Sequence, residues 1–343
     1  MATISLAVKY RPKTWQDVCE QTTIKKILNE QIRTNQVKRV LLFTGPAGTG
    51  KTTNARIFAN ELESCKSNIL ELNCADKNGV DDIRTLVIEV AKSKPLQGKY
   101  KVFVLDEVHM LTTQSQNALL KLLEEPPAHC IFILCTTDPQ KILSTILSRA
   151  YRYDFQKISF QGIVNRLNYI LQSEKNEGAD IQGWNQDAIN YISKQSNGGM
   201  RDAITLLDKI LSYTNNVTVD SVVEVLGITG YNIQFEILDA LLLKNDKILT
   251  KKLEEVYRSG KDIKLFVKNF LSFVLDINKY LITRCFDYIN IPNNYQDKLA
   301  SYQEANRTYL KVLLAKLITL NSDMKWETNP KTLLESTLLL EVL

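Results

Sequence analysis

Residues 39–53, RVLLFTGPAGTGKTT, join an apolar run to a glycine-rich loop, and the amphipathic segment TNARIFANELES follows. The loop has the GxxxxGKT spacing of a Walker A motif, in the strand–loop–helix setting such a loop requires. Gly45, Gly48 and Gly50 let the backbone curl so that its N–H groups face phosphate oxygens, aided by the N-terminus of the next helix. Lys51 is the expected contact to the β- and γ-phosphates, and the Thr52 hydroxyl is an expected Mg²⁺ ligand. Pro46, Ala47, Thr49 and Thr53 complete the stretch expected to touch the nucleotide. The chemistry implied is that of ATP and Mg²⁺.

A second apolar run, YKVFVLDEVHML (100–111), ends in two acids. Downstream of a Walker A loop, Asp106 stands where an aspartate holds the metal, and Glu107 where a base polarises the attacking water. His109 reads as structural. A third run, CIFILCTTDPQK (130–141), ends in hydroxyls, so Thr136 or Thr137 is placed to touch the γ-phosphate or the lytic water. Cys130 and Cys135 read as small core residues.

These three runs, with NILELN (68–73) and YRYDF (151–155), make five strand candidates separated by helical segments. Continuous Val, Ile, Leu and Phe composition suits strands buried on both faces of a parallel sheet. Alternating β and α units therefore predict a doubly wound α/β domain over 1–157. One intervening helix is TTQSQNALLKLLEE (112–125), with Ala118, Leu119, Leu122 and Leu123 on one face and Pro126-Pro127 stopping it. Beyond 157 strand-like runs vanish. Helical patterns over 160–177, 186–196 and 200–213 form a small helical unit (158–226), in which Gly198-Gly199 precedes a helix carrying Arg201 in its first turn. NNVTVD (215–220) reads as the linker out of it. Five more Leu- and Ile-rich helical segments fill 227–343, ending in LLESTLLLEVL without a polar tail.

Bulk properties narrow the partners. The chain has 343 residues and a formal charge of +5, unevenly spread: residues 1–157 hold 22 Lys+Arg against 16 Asp+Glu, and the remainder 21 against 22. A basic excess confined to the first part fits an anionic partner, with a solvated surface as the alternative. No start resembling a signal peptide and no apolar run of roughly 18 residues is seen, so neither secretion nor a membrane is expected. Six scattered cysteines without CxxC fit reduced thiols in a cytosol, and two histidines make a His-rich metal site unlooked for.

The segments LAVKYRPKTWQDVCEQ, GPAGTGKTT, DEVHML, NALLKLLEEPP, TTDPQKILSTILSRA and GGMRDAITLLD occur in this order over nearly the whole chain. Together they resemble the bacterial clamp-loader ATPase of the DNA polymerase III gamma/tau family. That resemblance implies an AAA+ module, an all-α lid and an all-α collar that forms a pentameric ring, homo- or hetero-oligomeric. The implied partners are other loader subunits, a ring-shaped sliding clamp and primer–template DNA, in the cytoplasm. It also implies that Ala7, Tyr10, Arg11 and Pro12 lie near the adenine, that Thr137 is the sensor-1 residue and that Arg201 is a sensor-2 arginine acting in cis.

The same resemblance gives Arg149 a task. No carboxylate stands beside it in the sequence, and it occupies the arginine of the family's Ser-Arg-Cys motif, which completes a neighbouring subunit's site. The expectation is that it acts in trans and has no partner in its own chain. Ala150 replaces the motif's cysteine. The family's usual four-cysteine knuckle is missing too: only Cys65 and Cys74 precede NILELN closely, and two thiols cannot close a tetrahedral site, so no zinc is expected. The chain is also expected to lack a tau-like tail. Two rival functions remain at this stage: another AAA+ DNA remodeller, such as a helicase loader or Holliday-junction motor, and a non-hydrolysing structural loader subunit.

Overall fold

The structure, a computed structural model, describes residues 4–63, 65–227, 229–292, 295–303 and 306–340. The first three residues expected in the nucleotide domain, the expected helix end at Ser64 and the final three residues of LLESTLLLEVL lie outside them. The chain divides into two compact units: 1–172 with 196–208, and 173–195 with 209–343.

The first unit is built on Val40–Thr44 (β1), Ile69–Asn73 (β2), Lys101–Asp106 (β3), Cys130–Thr136 (β4) and Tyr151–Asp154 (β5). They form one parallel sheet in the order β2-β3-β4-β1-β5. The central β1 and β4 are buried at every position, which is why neither shows polar alternation. Successive side chains point to opposite faces, so each apolar strand feeds two cores. Leu41, Phe43, Val104, Ile131 and Ile133 enter one core, and Val40, Leu42, Leu105, Phe132 and Leu134 enter the other.

Both cores need a helical layer. Thr22–Arg33 (α1) contributes Ile24 and Leu28 to the first, and Lys51–Leu62 (α2) contributes Ala55, Ile57 and Phe58. Thr113–Glu124 (α3) covers the second with Leu119 and Leu123. The buried face of α3 is set by Ser115, Gln116, Leu119 and Leu123, whereas Ala118 and Leu122 are only half-buried. Its two polar members are satisfied: Ser115 Oγ donates to Asn78 O at 2.6 Å, and Gln116 Nε2 donates to the Leu111 and Lys141 carbonyls, each at 3.2 Å. Phe43, fully buried against Tyr153 and Phe155 at centroid distances of 5.5 and 5.1 Å, anchors the β1 end that leads into the glycine loop. Truncating such a phenylalanine to alanine costs about 3–5 kcal/mol.

Phe160–Asn176 (α4), Gln186–Gln195 (α5) and Met200–Tyr213 (α6) lie close to the expected spans. Strand structure does not vanish after 157, however. Gly183–Trp184 and Asn216–Val217 pair in parallel, so NNVTVD is no plain linker. Val217 is fully buried, and Thr218 starts the helix Val219–Val225 through a capping box with Ser221. A two-residue bridge leaves no periodicity for sequence reading to detect.

The second unit is otherwise helical, with Tyr231–Leu242, Asp246–Arg258, Ile263–Thr283, Asn306–Asp323 and Pro330–Leu339 as its longer elements. Phe266, Phe270, Phe273, Ile277 and Leu281 form the buried stripe of the 21-residue helix 263–283. Among the described residues no helix is long and apolar enough to cross a membrane.

Candidate ATP-binding and hydrolysis site

The glycine loop leaves β1 at Thr44 and enters α2 at Lys51, at the carboxyl end of the parallel sheet where α/β folds bind ligands. Gly45 has φ +140°, and a Cβ there would stand 2.3 Å from the Phe155 carbonyl oxygen, so only glycine lets the loop turn this tightly. Gly48 packs on the Gly198-Gly199 turn: the Met200 N–H donates to Gly48 O at 3.0 Å, and a Cβ on Gly48 would lie 3.1 Å from Gly199 Cα. That packing brings the first turn of α6, and with it Arg201, to the loop.

A cleft of about 300 Å³ opens above the loop. Ala7, Tyr10, Arg11 and Pro12 line it on one side, and Ala47, Gly48, Thr49, Gly50, Lys51, Thr52 and Thr53 form its floor. Asp106, Glu107 and Arg201 also face it. Gly45 and Pro46 sit beneath, where their carbonyls each accept from Lys51 Nζ at 2.8 Å. Lys51 is only 5% exposed, and burial pushes its ammonium below the usual lysine range, an effect opposed by the charges of Glu107 and Asp106. An incoming phosphate would restore the lost solvation.

Arg11 shows the same electrostatics. Burial, then the nearby Arg56 and Arg201, lower its proton affinity, offset in part by Glu71 and Asp106. Several cations held close together at one cleft form an anion site. Arg166 is a member that sequence reading missed: it lines the cleft, and its Nη2 donates to Tyr10 O at 2.8 Å, holding the N-terminal wall. It lies within the ordinary polar face of α4, and no spacing marks it.

The acids occupy the end of β3. Thr52 Oγ1 donates to Asp106 Oδ2 at 2.8 Å, so two hard oxygen donors meet at the mouth of the loop, the donor chemistry that Mg²⁺ takes. The implied metal therefore fits these residues. Glu107 has φ +50°, a left-handed turn immediately after the strand. Its Oε2 accepts from Thr137 Oγ1 at 3.3 Å and lies 3.3 Å from His109 Nδ1, which in turn is 3.2 Å from Thr136 Oγ1. The two threonines thus divide: Thr137 reaches the acid, and fully buried Thr136 reaches the histidine. His109, read as structural, touches the Glu107 carboxylate. Cys135 and Cys74 are buried, which pushes the first thiol well above its usual range and the second up to about 12.

Arg149 does not line this cleft, and one expectation about it is wrong: it has a partner in its own chain. Its Nη2 is 2.6 Å from Glu124 Oε1, and its Nη1 donates to Thr145 O at 2.7 Å and Ser148 Oγ at 3.2 Å. The carboxylate is invisible to local reading because the end of α3 delivers it from far upstream. No group of three or more His, Cys, Asp or Glu side chains arranged to hold a metal occurs among the described residues.

A parallel sheet of this order, with a phosphate loop after β1, an Asp-Glu pair after β3 and an arginine from the following helical segment, defines a P-loop nucleotide-binding module of the AAA+ type. Solved structures agree on the fold: the Holliday junction branch migration motor RuvB of Thermotoga maritima matches with TM-score 0.50 at 22% identity, covering 68% of this chain and 79% of that one. Residues 67–159 match the family model described as DNA polymerase III, delta subunit, and 217–339 that of DNA polymerase III subunits gamma and tau domain III. The chain is 30% identical to DNA polymerase III subunit gamma of Buchnera aphidicola, over 91% of this chain and 90% of that protein. It is 34% identical to the tau subunit of Bacillus subtilis, over 95% of this chain but 61% of that protein, and 36% identical to the gamma/tau subunit of Mycoplasma genitalium, over 79% and 48%. The chain belongs to the DNA polymerase III gamma/tau family, and it spans about three-fifths and about half of the length of these last two relatives.

Proposed function

We propose that this chain is the ATPase motor subunit of a sliding-clamp loader. ATP binding arranges the AAA+ modules into a spiral that opens a ring-shaped clamp and grips primer–template DNA, and hydrolysis releases the clamp closed around that DNA. The domains are a nucleotide module (1–157), a helical lid (158–226) and a helical collar (227–343) through which five subunits associate. The observation that carries this reading is the convergence of the phosphate loop, Asp106, Glu107 and Arg201 on one cleft in a chain of the gamma/tau family.

In the mechanism the loop N–H groups and Lys51 bind the β- and γ-phosphates, with Lys51 exchanging its carbonyl acceptors for phosphate oxygens. Thr52 and Asp106 would hold Mg²⁺, whose charge offsets that developing on the phosphate oxygens. Glu107 orients the attacking water and takes its proton, steadied by the Thr137 hydroxyl. Arg201 stabilises the transferring phosphoryl group in cis, and Arg149 does so for the neighbouring subunit. Ala7, Tyr10, Arg11 and Pro12 enclose the adenine.

The test is steady-state ATP turnover by the assembled protein, with and without a sliding clamp and primed DNA. Stimulation requiring both clamp and primer–template supports the loader. Stimulation by a four-way junction without a clamp would instead identify another DNA remodeller, and absent turnover in an assembled ring would leave only a structural role.

A further inference from the structure

Glu124 closes α3, the helix that ends just before Pro126-Pro127, and its carboxylate lies 2.6 Å from Arg149 Nη2. With the bonds from Nη1 to Thr145 O and Ser148 Oγ, this ion pair fixes the guanidinium at two of its three nitrogens. The two supports are braced against each other. Gln116 of α3 accepts the Leu143 N–H at 2.9 Å and donates to Lys141 O, at the entrance to the short helix Ser144–Leu147 that leads to Arg149. The α3 N-terminus is capped by Thr112 and tied to Asn78 through Ser115.

The pair is half-exposed, with side-chain exposures of 35% for Arg149 and 45% for Glu124. Pairs this wet contribute little to folding stability, and water screens the carboxylate enough that it does not trap the cation. What the pair does is restrict a long side chain that otherwise samples many rotamers, and ordering it beforehand lowers the cost of each hydrogen bond it later makes. An arginine that must meet charge developing on a phosphate gains by this, because its effect depends on placement.

We infer that Glu124 is a positioning residue for hydrolysis: it holds Arg149 in the orientation from which the guanidinium reaches the γ-phosphate bound by the neighbouring subunit. The inference rests on the proposed action of Arg149 in trans. Glu124 does not line the nucleotide cleft, so it acts on hydrolysis through Arg149 alone.

The experiment is a double-mutant cycle on the full chain in its assembled ring. Turnover at saturating ATP, ATP Kd and thermal melting are measured for Glu124→Ala, the isosteric Glu124→Gln, Arg149→Ala and the double variant Glu124→Ala/Arg149→Ala. Glu124→Ala should slow saturated turnover about tenfold, a coupling ordinary for contacting charged residues, with ATP Kd and melting unchanged. Glu124→Gln, which keeps shape but loses charge, should fall between. In the Arg149→Ala background Glu124→Ala should have no further effect, which a helix-end role would not produce. Equal losses in both backgrounds, unchanged turnover or faster turnover in Glu124→Ala each overturn the inference. If Arg149→Ala abolishes turnover while Glu124→Ala leaves it intact, the positioning role fails while Arg149 itself remains required, and rescue in rings mixed with Lys51→Ala chains tells trans from cis action. If Arg149→Ala itself turns over normally, both fall.

Discussion

Glu107→Gln separates binding from chemistry at this site. The amide keeps the shape of the side chain and its left-handed backbone position, and it still offers an oxygen to Thr137 Oγ1, now 3.3 Å from the carboxylate. The Thr52–Asp106 bond and the Lys51 contacts to Gly45 O and Pro46 O do not involve residue 107, so the phosphate cradle survives. What disappears is the base. Proton transfer by a positioned group is worth about 10²–10⁴-fold, or roughly 3–5.5 kcal/mol in the barrier, so turnover should fall by that factor with ATP Kd near normal at pH 7. A second consequence follows from charge. Glu107 is the foremost neighbour keeping Lys51 protonated against its burial. With the carboxylate gone, Lys51 loses its proton at lower pH, so ATP affinity of the variant should begin to fail further below the ordinary lysine value of about 10.4 than that of the native chain. Turnover is read by phosphate release, and Kd by titration with a fluorescent, non-hydrolysed ATP analogue from neutral to alkaline pH. Native turnover in Glu107→Gln would refute the assignment of the base, and coincident pH profiles would refute the coupling to Lys51.

Arg149→Ala should leave ATP binding in its own chain nearly unchanged but cost roughly 10³-fold in turnover of the ring; rings mixing Arg149→Ala with Lys51→Ala chains, confirmed by sizing, should regain activity, and no rescue would mean that the arginine acts in cis. DNA held through phosphates by the basic excess of residues 1–157 should bind with little sequence preference and lose affinity on the order of 10³-fold between about 50 and 200 mM salt; a flat salt response in fluorescence anisotropy would exclude phosphate contacts as the source of affinity. In the helical unit Asp276 is 3% exposed, and burial raises its pKa despite the Asn290 N–H at 2.8 Å and nearby Lys279. The folded state therefore binds this proton more tightly than the unfolded chain, so stability falls as pH rises from the ordinary aspartate value of 3.8 through the raised folded value. Asp276→Asn, which keeps an acceptor for Asn290, should raise the urea midpoint at pH 7 with the gain vanishing toward pH 4; a lower midpoint at pH 7 would contradict this.

The elements that hold the site were legible because their physics is local. Strands buried on both faces must be continuously apolar, so β1, β3 and β4 announced themselves, and the glycine loop is recognisable because positive φ at Gly45, Gly48 and Gly50 leaves few alternatives. Residues that matter through distant partners were not legible. Arg149 reads as unpaired in the sequence because Glu124 reaches it from another helix, and nothing in the sequence marks Arg166, which the fold sets against Tyr10 O. Nothing in DEVHML shows that His109 Nδ1 comes within 3.3 Å of Glu107 Oε2, beside the left-handed turn at Glu107, so by sequence alone the histidine reads as structural. The short pairing of Gly183–Trp184 with Asn216–Val217 is a tertiary event with no local pattern behind it.

The most direct test of the account is a clamp-loading measurement with circular primed DNA. Assembled rings of the native chain and of Glu107→Gln are mixed with a labelled sliding clamp, and clamp retained on the DNA after removal of the loader is counted with ATP, without nucleotide and with a non-hydrolysed analogue. The account predicts clamp left on DNA only for the native ring with ATP, whereas Glu107→Gln with ATP, and the native ring with the analogue, should hold clamp and DNA together without letting go. Clamp deposited equally well without nucleotide, or by Glu107→Gln at the native rate, would contradict it.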